Sequence, residues 1–266
     1  MTVKLLSVAM WSYAVLSMIV MWLPFVPLWL LSLPFDRRRR FAHSYASHWA
    51  NHLHRVSPLW DIVVDGLQHF DPDRAYVLAA NHESTADILV AFALRRQFRW
   101  IAKAELFFVP LLGWMMAMTG YIPIRRVDPN SRRKMMTNAA RQLAMGNSVL
   151  VFPEGTRSVT GELLPFKRGA FELACATKTP VLPVLIEGTG ALLPKNAWFA
   201  GVQRKTHPVM RVLAPIDPAT HGLDPTRLAT AVRAEMTRQR ELLRQQIKQR
   251  GGVHQAPRNA EPAEHC

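Results

Sequence analysis

The sequence predicts an α/β domain in which one roughly seven-stranded mixed sheet is flanked by helices, with an apolar helical element in front of it. Three observations predict it. Short β-rich runs recur between Trp60 and Leu213, helix-like stretches separate most of them, and an uncharged run from Leu5 to Phe35 precedes them all. A chain of 266 residues, 49% hydrophobic and with eight tryptophans, is long enough for one large domain plus an appendage. That composition excludes a disordered polyelectrolyte, despite a formal charge of +14. Two cysteines, Cys175 and Cys266, exclude a disulfide framework and any multi-cysteine zinc module.

In order along the chain, the apolar run comes first. Leu5–Leu23 would make a helix of about 28 Å, close to the thickness of a bilayer core. Pro24 and Pro27 disfavour a straight continuation. Either one membrane span ends near Pro24, or a bent helix pair lies in one leaflet. Trp11, Trp22 and Trp29 are expected to touch the membrane, followed by the four consecutive arginines Arg37, Arg38, Arg39 and Arg40. A span would leave these arginines on the cytoplasmic side, and a leaflet-bound element would set them against anionic headgroups. Both readings place the remaining chain on the cytoplasmic face of the inner membrane. A nucleic-acid partner is not expected, because the strongest basic run abuts an apolar anchor and is not interleaved with stacking aromatics.

A polar, His-rich helix is expected over Ala42–Val56, with its histidines on the surface. The candidate strands are Trp60–Asp65, Ala75–Ala80, Phe98–Ala102, Tyr121–Arg125, Ser148–Phe152, Val181–Ile186 and Val209–Leu213. The candidate helices are Thr85–Arg95, Glu105–Met118, Asn130–Met145 and Lys167–Thr177. Thr226–Arg250, with seven basic and two acidic residues, reads as a surface helix. The organisation expected is an anchor at 1–35, a basic connector at 36–58, the α/β domain at 59–223, a basic helix at 224–250 and a flexible tail at 251–266.

Several chemistries are excluded by their missing motifs. His82-Glu83 would need a second histidine where Ala86 stands to make a zinc H-E-x-x-H. There is no phosphate-binding G-x-x-x-x-G-K loop, Gly188-Thr189-Gly190 lacks the third glycine of a dinucleotide fingerprint, and no G-x-S-x-G elbow occurs. No metal site and no bound cofactor are expected. Two motifs survive, each at the end of a strand. Asn81–Asp87 places His82 and Asp87 five residues apart, about 140° apart on a regular helix, so they meet only if His82 sits in the turn before it. Ser84 or Thr85 is the expected N-cap. Such a pair is what a general base needs, because the carboxylate fixes the imidazole tautomer and stabilises its cation. The second motif, Phe152–Ser158, offers Gly155 for close backbone approach and Arg157 as a phosphate fork. Lys103, Arg125, Arg126, Lys167 and Arg168 recur after other strands, where ligands of open α/β sheets bind.

Asn81-His82 with Asp87, followed some seventy residues later by F-P-E-G-T-R-S at Phe152–Ser158, resembles the glycerolipid acyltransferases, of the bacterial 1-acylglycerol-3-phosphate acyltransferase type. Gly120–Arg126, Val181–Val184, Lys103–Leu106 and Phe166–Phe171 agree in order. The family often has an acid where this chain has Arg125. The resemblance implies that residues 59–223 are an acyltransferase domain, in which His82 deprotonates the hydroxyl of a lysolipid and Asp87 orients it. It further implies that Glu154, Gly155, Thr156 and Arg157 bind the glycerol phosphate with help from Lys103 and Arg126. Acyl-CoA or acyl carrier protein would be the co-substrate, a lysolipid the acceptor and the bilayer the surface. The acceptor expected is 1-acyl-sn-glycerol 3-phosphate, with a lyso-ornithine lipid or a remodelled lysophospholipid as alternatives. A catalytically silent membrane-binding protein is the competing class.

Overall fold

The computed structural model describes residues 3–193 and 205–249. Arg250 and the expected tail at 251–266 lie outside them. The seven strands are β1 (Val63–Asp65), β2 (Val77–Ala80), β3 (Phe98–Lys103), β4 (Ile122–Ile124), β5 (Ser148–Val151), β6 (Val181–Glu187) and β7 (Val209–Val212). They form one sheet in the order β1-β7-β6-β2-β5-β3-β4. All neighbours are parallel except β6 and β7, which makes the sheet mixed. Successive residues of the central strands face opposite sides, as a pleat requires. Leu78, Ala80, Leu150, Leu182 and Val184 enter one hydrophobic core, and Val77, Ala79, Val149, Val181 and Leu185 enter the other. Apolar residues therefore run almost continuously along β2 and β6, the pattern of strands covered on both faces.

The helices are α1 (Val3–Ser32), α2 (Arg40–Val56), α3 (Ala86–Ala91), α4 (Leu112–Met118), α5 (Pro129–Ala144), α6 (Gly169–Thr177), α7 (Thr189–Leu192) and α8 (Pro225–Gln249). Two expected helices are shorter than their sequence pattern. After Ala91 the chain tightens into a 3-10 turn, Phe92–Leu94, closed by Arg95 at φ 49°. The Glu105–Met118 stretch splits at Pro110 into a 3-10 turn, Ala104–Phe108, and α4. The two pieces fold so closely that a Cβ on Gly113 would lie 2.2 Å from the Phe107 carbonyl oxygen.

The expectation that the first helix stops or breaks at Pro24 is corrected. α1 is one helix with Pro24 and Pro27 inside it. Packing on both sides of the prolines opposes the lost hydrogen bonds. Phe25 is fully buried against Tyr45, and Trp22 stands edge-on to Phe25 and Trp114. α1 runs antiparallel along α2: Tyr13 bonds His52, the Trp49 indole N–H donates to Ser17 at 3.0 Å, and the Tyr45 hydroxyl donates to the Met21 carbonyl at 2.7 Å. Trp22 and Trp29 are half-buried against the core, whereas Trp11 is 44% exposed. The outward side of α1 carries Leu16, Val20, Leu23 and Leu31, all exposed, and Phe108 and Trp114 are exposed nearby in the chain of α4.

α2 also differs from its expected polar character. Ala42, His43, Ala46, Ala50 and Leu53 form its buried face. His43 is a core residue: its Nε2–H donates to the Arg96 carbonyl and its Nδ1 accepts from the Tyr121 hydroxyl, both at 3.0 Å. Burial, reinforced by the Arg99 charge, lowers its pKa from 6.5 to about 3, although the Arg96 carbonyl opposes this. As pH falls through that interval, the unfolded chain gains a proton that native His43 refuses. Stability should therefore fall on acidification between pH 6.5 and about 3. The His43 contribution approaches about 1.4 kcal/mol per pH unit. Denaturant unfolding across this range should show a shallower slope in His43→Gln; identical slopes would contradict the neutral core assignment.

Candidate active site

β2 ends at Ala80, and Asn81 locks that end to its neighbour. Its amide donates to the Ile186 carbonyl at 2.8 Å and its oxygen accepts the Ile186 N–H at 2.7 Å. His82 then lies in the turn, and Asp87 lies in the first turn of α3 with no exposed surface. The His82 Nδ1–H donates to Asp87 Oδ2 at 2.8 Å. The same oxygen accepts the backbone N–H groups of Glu83, at 2.7 Å, and Ser84, at 2.9 Å. Asp87 Oδ1 accepts from the Thr189 hydroxyl. This four-donor arrangement is how a carboxylate is accommodated in a dry site. Thr85 is the N-cap position of α3, but its side chain makes no cap hydrogen bond; the neighbouring Ser84 supplies one. The Ser84 hydroxyl accepts the Ala86 N–H at 3.1 Å and donates to the Leu193 carbonyl, while Thr85 accepts from Arg157. The His82 ring stacks on Phe152 at 4.1 Å and its side chain is 12% exposed. A ring with Nδ1 committed to a carboxylate has Nε2 as its basic nitrogen.

The loop after β5 closes against this turn. Ser158 N–H donates to the His82 carbonyl at 2.8 Å. The buried Glu154 carboxylate accepts His82 N–H at 2.9 Å and Leu164 N–H at 3.0 Å. Glu154 thus braces the His82 backbone. Gly155 has φ +70°, and a Cβ there would lie 2.8 Å from Lys167 Nζ, so glycine lets that ammonium approach the loop. Thr156 is exposed. Half-buried Arg157 donates to the Thr85 hydroxyl at 2.8 Å, which sets its guanidinium beside the start of α3. Lys103 is exposed at the carboxyl end of β3, in register with Ile124, and the exposed Arg125 and Arg126 follow β4. All these cations lie beyond the same edge of β2, β5, β3 and β4, but only Arg157 is bonded to the His82 turn. Among the described residues, no three His, Cys, Asp or Glu side chains are grouped to hold a metal ion.

Beside the turn an apolar cavity of about 310 Å³ extends among α1, α2, α3 and α4. Thr85 and Ala86 line it near His82, and Trp11, Trp49, Leu89 and Met116 line it further away.

The Acyltransferase family model matches residues 61–187, the span from the lead into β1 to the end of β6. Residues 61–187 are thus similar to the Acyltransferase family. The matched span contains His82, Asp87, Glu154 and Arg157. A chloroplastic 1-acyl-sn-glycerol-3-phosphate acyltransferase of Brassica napus is 38% identical over 167 residues, 62% of this chain and 48% of that protein. A 1-acyl-sn-glycerol-3-phosphate acyltransferase of Pseudomonas aeruginosa is 33% identical over 167 residues, 62% of this chain and 64% of that protein. The chain spans about half the length of its curated chloroplast relatives. The crystal structure of the 1-acyl-sn-glycerophosphate acyltransferase PlsC from Thermotoga maritima superposes with a TM-score of 0.75 at 27% identity, covering 90% of this chain and 95% of that one.

Groups outside the matched span complete this site, and the sequence reading missed them. α8 is no mere surface helix: Leu228, Val232, Met236 and Leu243 are buried, and so is Arg240. Arg240 pairs with Glu83, and with Glu187 at 2.6 Å; Arg244 joins Glu187 to Glu162 at 3.0 and 2.7 Å. Burial, with Glu187 as a second acid on the same guanidinium, pushes the Glu83 carboxyl up to about 8, while Arg240 pulls against this. The signal was present. Arg240 continues the four-residue spacing of Leu228, Val232 and Met236, and a charge in line with an apolar stripe implies a buried partner. Thr189, considered only as part of a failed nucleotide motif, had no signal of its own. Arg240→Met should destabilise the fold by about 3–5 kcal/mol, because buried Glu83 loses its counter-ion and Glu187 is left with Arg244 alone. A loss below about 1 kcal/mol in denaturant unfolding would show a solvent-screened network.

Proposed function

We propose that this protein transfers an acyl group from acyl-CoA or acyl carrier protein to the free hydroxyl of 1-acyl-sn-glycerol 3-phosphate, giving phosphatidic acid. One observation carries the reading: the turn that holds the His82–Asp87 pair continues into Thr85, which accepts from Arg157 and lines the apolar cavity. The acceptor hydroxyl attacks the thioester carbonyl carbon while His82 Nε2 takes its proton. The tetrahedral intermediate then expels the thiolate, which takes a proton from the imidazolium. Asp87 stays ionised throughout, holding the ring by Nδ1 and stabilising its transient positive charge. The thioester is already reactive, so positioning supplies most of the remaining acceleration. The acyl chain would lie in the apolar cavity. Arg157 would hold the acceptor phosphate, with Lys103, Arg126 and Lys167 along the same sheet edge and the Gly155-Thr156 backbone beside it. Glu154, whose two oxygens are taken by backbone donors, would act through the position of His82. No metal or bound cofactor enters these steps.

The relatives' names support the acceptor assignment, and the net charge of +14 suits a phosphate-bearing or acidic acyl donor. The packing of α1 along α2, with its apolar side outward, supports an element lying against one leaflet, and the arginine run after it favours the cytoplasmic face of the inner membrane. The test is acyl transfer by purified full-length protein from both donors, with lysophosphatidate offered beside a lyso-ornithine lipid and lysophosphatidylcholine. Phosphatidate should form selectively, and His82→Ala should lower turnover by about 10² or more without loss of fold. Transfer only to another lysolipid would replace the acceptor. Near-normal turnover in His82→Ala would remove the general base, and no transfer at all would favour a silent membrane-binding protein.

A further inference from the structure

The arginine run after α1 does more than line a surface. A polar cavity of about 300 Å³ is lined by the side of Arg37, Arg38 and Arg39, by Gly120 and Tyr121 ahead of β4, and by Asn138, Arg141 and Gln142 of α5. It lies at the amino ends of β4 and β5, whereas His82 and Arg157 follow the carboxyl ends of β2 and β5, so the two sites occupy opposite poles of the sheet. No acid lines it. Among the described residues, none of the four arginines has a carboxylate within ion-pair distance. Asp36, adjacent in the chain, is occupied in accepting the Arg40 and Phe41 N–H groups at 2.8 Å.

The cavity is also built rather than incidental. Arg39 adopts φ 53° and donates to the Ala117 carbonyl at 2.7 Å, tying the run to the end of α4. The Arg38 guanidinium packs over Gly146, where a Cβ would lie 3.2 Å from it. Its carbonyl accepts from Arg99 and from the Asn147 amide at 3.2 Å. Arg99 is wholly buried, has no carboxylate within ion-pair distance among the described residues, and leaves its Nε unbonded; the buried Asn147 Oδ1 is unbonded as well. Four guanidinium groups, those of Arg37, Arg38, Arg39 and Arg141, therefore share a cavity with no acid among its described lining residues, an arrangement whose mutual repulsion an anion would relieve. Planar guanidinium forks suit phosphate oxygens. The cavity also adjoins the apolar face: Leu31 and Phe35, 71% and 89% exposed, immediately precede the run, and Trp114, 54% exposed, is on the helix that Arg39 holds.

We propose that this pocket is a second anion site, separate from the acceptor site, which binds the phosphate of an anionic lipid headgroup while that lipid's chains lie along the apolar face of α1. The test uses full-length protein and sedimentation with vesicles of phosphatidylcholine alone or with phosphatidylglycerol added. Arg141→Gln and Arg37→Gln should each weaken binding to the anionic vesicles about tenfold, as expected for a charge-assisted phosphate contact. Neither should change binding to the neutral vesicles or thermal unfolding, which verifies the fold. Arg133→Gln, on the same helix but outside the pocket, removes equal charge and should have less than about a twofold effect. Equal effects at Arg141 and Arg133 would reduce the pocket to diffuse surface charge and overturn the proposal. Calorimetric titration of detergent-solubilised protein with inorganic phosphate separates the other source. Phosphate binding that Arg141→Gln abolishes, with vesicle binding unchanged, would make this a free-phosphate site and overturn the lipid assignment. These readouts are binding alone, so they fail or succeed independently of acyl transfer.

Discussion

The buried Asp87 carboxylate is the constraint on which the rest of the site depends. One oxygen gathers the His82 ring and two consecutive backbone N–H groups, and the other takes the Thr189 hydroxyl. A charge without exposed surface is tolerable only with such a set of donors. The donors in turn dictate the turn's shape. His82 stays outside the regular helix, Phe152 meets its face, and Glu154 fixes its backbone from the neighbouring strand. Tautomer, ring plane and chain position are all set before any substrate arrives, which is the preorganisation a proton-transfer site requires.

This core is braced from a distance. Thr189 follows β6, Asn81 clamps β2 to the same strand, and Arg240 reaches from α8 to Glu83, whose N–H is one of the Asp87 donors. The helix α8, outside the matched Acyltransferase span, therefore bears on the His82 turn. At the other side α1 closes the apolar cavity and continues into the arginine run at the opposite pole. Carboxyl-end and amino-end sites are thus joined along one apolar helix.

Much of this was legible in the residues. Alternating strand and helix patterns predicted all seven strands close to their final bounds, because β-rich runs between polar turns have few other ways to be buried. The strand expected from Trp60 begins as an isolated bridge to Thr206 before pairing regularly at Val63. The five-residue spacing of His82 and Asp87 correctly required a pre-helical turn. What stayed illegible depended on long-range partners. Prolines in α1 argued for an interruption, and only packing by Phe25 and Trp22 shows why the helix continues. His43 looked like its surface neighbours until Tyr121 and the Arg96 carbonyl supplied its bonds. The cap at Ser84-Thr85 was legible, but not that the Thr85 hydroxyl would accept from Arg157 instead of capping.

The most direct test of this account is nitrogen NMR of the His82 ring in folded full-length protein, compared with Asp87→Asn. The arrangement predicts that the neutral ring carries its proton on Nδ1, leaving Nε2 bare, and that Asp87→Asn shifts this tautomer balance. A neutral ring protonated on Nε2, or a balance unmoved by the substitution, would contradict the role given to Asp87 and with it the general base.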